Sequence, residues 1–198
     1  MLHRYLPFSS ARTQLAAGSV LALLMVCTRG QHFASVNALP SASWAVLFLA
    51  GASLHPRWMF ALLFALAAAL DWGSYAAGTI SDWCLSPAYW ALLPAYGTSW
   101  LAGRTYARRH RDERSTIARL ALLLTAAAFV AYLISGGCYY AFSGHYEPSF
   151  AGFVPRIAQY YPRALGTLAG YVGVAFALVV ALRRIAARNA AAPQEVRA

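Results

Sequence analysis

The chain has 198 residues, of which 60% are hydrophobic and 11% charged, and its mean hydropathy is +0.50. This balance lies well outside that of water-soluble domains and excludes a soluble enzyme. The net charge of +10 comes from 16 cationic residues, all of them arginine. They are grouped in a few clusters, which indicates membrane topology rather than a nucleic-acid surface.

Six apolar windows follow one another along the chain, each close to the roughly 20 residues that a helix needs to cross a bilayer. They cover residues 13–28, 38–54, 58–80, 86–102, 117–141 and 164–182. The pattern predicts an all-α membrane protein built as a six-transmembrane-helix bundle. We expect one domain over residues 1–188 and a disordered cytoplasmic tail over residues 189–198. The first window lacks a small-residue cleavage site after it, which favours a retained helix over a signal peptide.

The placement of the arginines orients this bundle. Only Arg29, Arg156 and Arg163 fall on one side, whereas the other thirteen lie at the N-terminus, in the even-numbered loops or at the C-terminus. This bias predicts cytoplasmic termini and a multi-pass protein of the bacterial inner membrane, with the lipid bilayer as a partner. The arginine-rich stretch 103–116 is then the main cytoplasmic anchor, and no nucleic acid is needed to explain it.

Polar residues with chemical potential collect on the opposite, periplasmic side. Asp71 interrupts the apolar run 60–70, roughly 20 Å along the helix from Trp58. An ionisable group at such a depth needs a cavity or a partner, and we favour a functional role over an early end of helix three. Three of the polar residues in the loops on this side are better explained as groups that are simply solvated by water: Asp82, His145 and Glu147.

Cys84 differs from the other two cysteines, which sit within apolar runs and are assigned structural roles. Ser86 is a good N-cap and Pro87 a good first helical residue, which predicts that Cys84 lies just outside the N-terminus of helix four. The positive end of a helix favours the thiolate, the form that acts as nucleophile and soft metal ligand. Tyr89 follows within the first turn, where its hydroxyl can face the same space.

The segment Asp82-Trp83-Cys84-Leu85-Ser86-Pro87-Ala88-Tyr89, together with Asp71, the outer-loop His32 and six short helices, resembles the BtuM family of cobalamin transporters. These are solitary substrate-binding S-components, related to those of energy-coupling factor transporters. The resemblance covers essentially the whole chain. It implies an S-component-type bundle with a cobalamin pocket on the periplasmic side.

The resemblance also implies the site residues. Cys84 corresponds to the family's cysteine that coordinates cobalt, and His32, Asp71 and Tyr89 map to the ligand pocket. We add Arg156 from its place in the last outer loop. A corrin ring leaves the axial positions of cobalt open, and a thiolate is a competent ligand there. Because sulfur would compete with the upper axial group, removal of cyanide from cyanocobalamin is a further hypothesis, although the sequence shows no obvious reductant.

Helix one departs from the pattern of S-components that use a shared energising module. Such S-components usually carry Ala-x-x-x-Ala on this helix, but here Ala16 and Ala17 are followed four positions later by larger residues. Only Gly18 and Ala22 keep small-x-x-x-small spacing. We therefore expect no dedicated energising module, in agreement with a solitary component.

Two other functional classes stay open at this point. One is a transporter of another vitamin, or of a transition-metal ion held by His32, Cys84 and His145, although their spacing matches no metal-binding motif. The other is a membrane thiol oxidoreductase, which would need a second cysteine near Cys84 for disulfide exchange. The sequence contains no ATP-binding Gly-x-x-x-x-Gly-Lys motif, so it does not identify an energy source.

Overall fold

The computed structural model describes residues 10–29, 39–80, 86–109 and 115–195, and within these ranges it is helical without any strand. The elements are α1 (Ala11–Arg29), α2 (Ser43–Ser53), α3 (Trp58–Ala76), a 3-10 helix (Pro87–Ala91) that leads into α4 (Leu92–Arg109), α5 (Ser115–Phe142) and α6 (Phe150–Glu195). The predicted all-α fold class is confirmed. Of the helices in these ranges, α1, α3, α5 and α6 are long and apolar enough to cross a membrane.

Two of the six predicted spans do not reach that standard. α2 has 11 residues, and at ~1.5 Å per residue it is about 17 Å long, well short of a hydrocarbon core of about 30 Å. Pro40 favours extended backbone in the residue before it, which helps to delay the start of α2. α4 begins only at Leu92, after the 3-10 helix, and its last turn carries Arg108 and Arg109.

α6 is longer than the predicted window, with 46 residues from Phe150 to Glu195. Arg156 therefore lies in a helix and not in a loop. The first part of α6 packs on α5, for example through Phe129 and Tyr161, whose ring centroids are 5.4 Å apart. At its other end α6 continues into the segment predicted as a tail, where alanine, the best helix former, is frequent.

α2 lies at the centre of the fold. It packs against α1, α3 and α4 on one side and against α5 and α6 on the other. Its crossing with α4 is close because two glycines face backbone: a Cβ on Gly51 would meet the carbonyl of Trp100, and one on Gly103 would meet the carbonyl of Phe48. Small residues allow helices to approach in this way inside membranes.

Side chains from neighbouring helices satisfy the backbone just before α2. Thr28 Oγ1 of α1 accepts a hydrogen bond from the N–H of Ala42 at 3.1 Å. The hydroxyl of Tyr171 in α6 donates to the carbonyl of Pro40 at 2.8 Å. The start of α2 is thereby fixed to both α1 and α6.

The backbone just after α2 is satisfied in the same manner. Gln14 Oε1 of α1 accepts a hydrogen bond from the N–H of His55 at 3.0 Å. Arg104 Nη2 of α4 donates to the carbonyl of His55 at 2.7 Å. A positive group at this position also complements the negative end of the α2 dipole.

The outward faces of the four long helices are strongly apolar. Large exposed side chains on them include Leu15, Val20, Leu23, Leu62, Trp72, Ile117, Leu122, Val174, Leu178 and Leu182. Apolar surface of this extent is unusual for a soluble protein and is compatible with contact to lipid. By contrast, Gly18 of the small-residue pair in helix one is buried, and a Cβ added there would meet the side chain of Met59 in α3.

Candidate functional site

A buried ion pair joins the end of α1 to α3. Arg29, the last residue of α1, is 4% exposed and Asp71 is 2% exposed. Arg29 Nε donates to Asp71 Oδ1 at 2.8 Å, and Arg29 Nη2 donates to Asp71 Oδ2 at 2.5 Å. Two parallel bonds between guanidinium and carboxylate are among the strongest hydrogen-bonding arrangements in proteins. Asp71 therefore has the dedicated partner that its depth requires.

Three further hydroxyl groups extend this pair. Arg29 Nη1 donates to Ser43 Oγ at 2.6 Å and also to the hydroxyl oxygen of Tyr96. On the other side, the hydroxyl of Tyr89 donates to Asp71 Oδ2 at 2.8 Å. We call these five residues the Arg29 network. Its members come from α1, α2, α3, the 3-10 helix and α4, so it ties together five consecutive elements.

The alternating direction of the helices explains why these residues meet. α1 and α3 finish at one end of the bundle, where α2 and the 3-10 helix begin. Arg29 is the last residue of α1, and Ser43 is the first residue of α2. Asp71 lies five positions before Ala76, the last residue of α3. Polar residues near these chain ends are therefore brought to one level.

The predicted site residues have different outcomes. Asp71 and Tyr89 are brought into direct contact. Arg156 belongs to another cluster, where its guanidinium lies 4.0 Å from the ring centroid of Tyr146 and 5.3 Å from that of Tyr140. His32 and Cys84 lie outside the described residues.

The aromatic cluster around Arg156 also contains His145, which was considered as a metal ligand. The ring of His145 packs against Tyr146 with a centroid distance of 4.4 Å, and the hydroxyl of Tyr140 donates to the carbonyl of Glu147 at 3.1 Å. Within the part of the chain that the structure describes, no three His, Cys, Asp or Glu residues are grouped so as to hold a metal ion.

Ser86 occupies the predicted N-cap position, here of the 3-10 helix that leads into α4. Pro87 is the first residue of the 3-10 helix, as expected, but the Ser86 side chain makes no capping hydrogen bond. The N–H of Tyr89, a usual partner of a cap, donates instead to the backbone carbonyl of Ser86 at 2.8 Å. Ser86 Oγ is buried and has no hydrogen-bond partner among the described residues.

Two cavities border the Arg29 network. One, of about 420 Å³, lies between α3 and the 3-10 helix and includes Tyr89 in its lining. The other, of about 220 Å³, lies between α2, α4 and α6 and includes Ser43 and Tyr96. The larger cavity is lined by Phe64, Ala68, Trp72, Ser86, Pro87, Tyr89 and Trp90. Members of the network thus line both spaces.

Three members of this network are not among the site residues predicted from the sequence, namely Arg29, Ser43 and Tyr96. Arg29 was counted only as a charge on the periplasmic side. The signal was available, because a carboxylate buried in a membrane calls for a cationic partner and Arg29 ends the apolar helix on that same side. Ser43 and Tyr96 had no comparable signal, since a serine at a helix start and a tyrosine in an apolar helix are both common.

Comparison with known proteins adds no name to this arrangement. No protein-family model matches the chain, and no curated protein matches it.

Proposed function

We propose that this protein binds cobalamin at the periplasmic face of the bacterial inner membrane and carries it across, as the BtuM family that it resembles does. The observation that supports this most directly is the contact between Asp71 and Tyr89. The resemblance maps both to the ligand pocket, and they share a hydrogen bond of 2.8 Å inside a buried network. An ionisable residue at membrane depth with a dedicated partner is typical of a substrate site.

In the proposed topology all six helices belong to one S-component-type bundle with both termini in the cytoplasm. The arginine bias supports this orientation, which puts the Arg29 network at the periplasmic end. The short α2 is compatible with such a bundle because the backbone beside its two ends is hydrogen-bonded by Thr28, Tyr171, Gln14 and Arg104. Interrupted helices occur at membrane depth when protein groups satisfy them in this way.

The two proposed site residues outside the described ranges are close in sequence to described residues at the network end of the bundle. His32 follows Arg29 by three positions, and Cys84 precedes Ser86 by two. Both neighbours lie at the network end of the bundle, Arg29 within the network and Ser86 three residues before Tyr89.

The proposed chemistry is axial coordination of cobalt by the thiolate of Cys84. The corrin nitrogens occupy the equatorial positions, so sulfur takes the place of either the nucleotide base or the upper axial group. Exchange of bound cyanide for thiolate releases cyanide without changing the oxidation state of cobalt. His32, Asp71 and Tyr89 would contact the ligand from the sides, and Arg156 would lie at the rim, because α6 begins at the same end of the bundle.

Absorbance spectroscopy of the purified full-length protein tests the binding role. We expect the wild-type protein in detergent to retain hydroxocobalamin through purification and to shift its cobalt absorbance. Cys84→Ala should abolish that shift, whereas the control Cys138→Ala, in the apolar helix α5, should keep it. A wild-type protein that retains no corrinoid, or a shift that persists in Cys84→Ala, would contradict the proposal.

Growth measures transport separately from binding. A cobalamin-dependent bacterial strain without its own inner-membrane transporter should grow on low cobalamin when it carries the wild-type chain or Cys138→Ala. Cys84→Ala should reduce this growth at equal amounts of membrane-inserted protein. No growth with the wild-type chain, despite normal insertion, would argue against uptake.

A further inference from the structure

Three arginines meet beside the C-terminal end of α2. Arg104 of α4 donates to the carbonyl of His55 at 2.7 Å, and its guanidinium carbon lies 5.4 Å from the ring centroid of Trp100. The same guanidinium group is close enough to those of Arg108 in α4 and Arg57, just before α3, for both of them to repel it. We call Arg57, Arg104 and Arg108 the Arg104 cluster.

The positive charge of the Arg104 cluster has no carboxylate counter-ion within the described residues. The ion pair found there joins Arg29 to Asp71, near the opposite end of α2. Arg57 directly precedes α3, whose first turn contains no acidic residue, so the positive end of that helix adds to the charge. Mutual repulsion destabilises such a group of cations, and an anion from outside the chain would therefore stabilise it.

Exposed apolar side chains continue from the cluster along the same two helices. Arg57 and Arg108 are themselves exposed, so the cluster can be reached from outside the bundle. Trp58, directly after Arg57, and Leu62, one turn further along α3, are exposed as well. On α4 the exposed Leu101 precedes Arg108 by two turns. The surface therefore changes from cationic to apolar in the direction that leads into the bilayer, with a tryptophan at the boundary, as is typical of a membrane interface.

The order of groups on this surface matches that of a phospholipid. α3 and α4 are neighbours here, since the rings of Phe60 and Trp100 pack edge to face with centroids 5.7 Å apart. A lipid phosphate accepts charge-assisted hydrogen bonds from guanidinium groups. We propose that the Arg104 cluster binds the phosphate of an anionic phospholipid, with acyl chains along Leu62 and Leu101. Basic groups beside transmembrane helices recognise such headgroups. This inference goes beyond the proposed cobalamin function and does not depend on it.

Lipid binding is measured by native mass spectrometry of the purified full-length protein, titrated in detergent with phosphatidylglycerol or phosphatidylcholine of identical acyl chains. Both lipids contain a phosphate, but only phosphatidylglycerol has a net negative charge. We expect the wild-type protein to bind phosphatidylglycerol about tenfold or more tightly than phosphatidylcholine, because each arginine near an anionic headgroup contributes about fivefold. A wild-type protein that binds both lipids equally well would overturn the proposal.

Removal of single charges separates a defined site from diffuse attraction to a basic surface. Arg57→Gln and Arg104→Gln should each lower the ratio of the two dissociation constants about fivefold. Arg184→Gln removes the same charge from an exposed position on α6 and should leave the ratio within about twofold of the wild type. An equal decrease in Arg184→Gln and Arg57→Gln would overturn the site. If Arg104→Gln does not fold, the exposed Arg57 still decides the question.

Competition with inorganic phosphate distinguishes a lipid site from a site for a free anion. Inorganic phosphate lacks acyl chains, so at the same concentration as phosphatidylglycerol, and at constant ionic strength, it should not displace the lipid. Displacement under these conditions would overturn the assignment to a phospholipid.

The lipid site and the cobalamin function fail in different experiments. A wild-type protein that prefers phosphatidylglycerol but retains no corrinoid contradicts the cobalamin function and supports the lipid site. A wild-type protein that binds cobalamin but has no preference between the two lipids retains that function and overturns the lipid site alone.

Discussion

Arg29 and Arg104 lie beside opposite ends of the short helix α2, and their surroundings differ. Arg29 is buried and donates to side chains, above all to the carboxylate of Asp71. Arg104 is partly exposed and donates to backbone carbonyls, at 2.7 Å to that of His55. One end of α2 therefore lies beside a buried ion pair. The other lies beside an arginine that hydrogen-bonds to a backbone carbonyl.

The difference separates a binding function from a packing function for the same residue type. A buried charge is costly, and an ionisable residue within a membrane helix often marks a functional site. A cation near a helix C-terminus gains modest stabilisation from the dipole and from the last carbonyls. On this basis we propose ligand recognition at the Arg29 end of α2 and a role in stability for the Arg104 end.

Removal of one partner of the ion pair should have the largest effect. Arg29→Met leaves the buried carboxylate of Asp71 without its guanidinium, and we expect a loss of about 3–5 kcal/mol in the free energy of unfolding. Asp71→Leu should cost a similar amount because it leaves the guanidinium unpaired. The measurement is equilibrium unfolding of the variants in one detergent, followed by circular dichroism.

The double variant Arg29→Met with Asp71→Leu is the control for this prediction. It removes both charges, so its loss of stability should be smaller than the sum of the two single losses. If the loss of stability in the double variant equals the sum of the two single losses, the two residues are not energetically coupled.

An intermediate effect is expected at the close crossing of α2 and α4, which stabilises the half of α2 away from Arg29. In Gly103→Ala the new Cβ would meet the backbone carbonyl of Phe48, which cannot move aside as a side chain can. We expect a loss of about 1–3 kcal/mol, measured by the same unfolding experiment. Gly97→Ala is the matched control in α4, because a Cβ there meets nothing within 4 Å; an equal loss in both variants would contradict close packing as the cause.

The smallest effect should come from Arg104→Met. The change removes a hydrogen bond to the carbonyl of His55, but this group is near the surface and water can replace the donor, so we expect a loss of about 1 kcal/mol or less. Cobalamin affinity should stay at the wild-type value. If Arg104→Met were as destabilising as Arg29→Met, the contrast between the two ends of α2 would be lost.

The sequence predicts the helical class and singles out Asp71, because a lone acid within an apolar run is visible without a structure. Its partner Arg29 is not singled out, because counting arginines on each side of the membrane assigns Arg29 to a side and does not identify the residue that it pairs with. Hydropathy also overestimated α2, because apolar residues before Ser43 continue the signal where the backbone is not helical. In α6 the opposite occurred, as Pro155, Arg156 and Arg163 obscured a helix that packs on α5. The roles of Cys84 and His32 stay predictions.

The hydrogen bonds beside the two ends of α2 (Ser43–Ser53) also have a consequence for how the helices move relative to one another. Thr28 and Tyr171 hydrogen-bond to the peptide groups just before α2, and Gln14 and Arg104 to those just after it. These side chains belong to α1, α6, α1 and α4, respectively. A shift of any of these three helices relative to α2 would break at least one of these hydrogen bonds, so α2 and its neighbours are expected to move as one body.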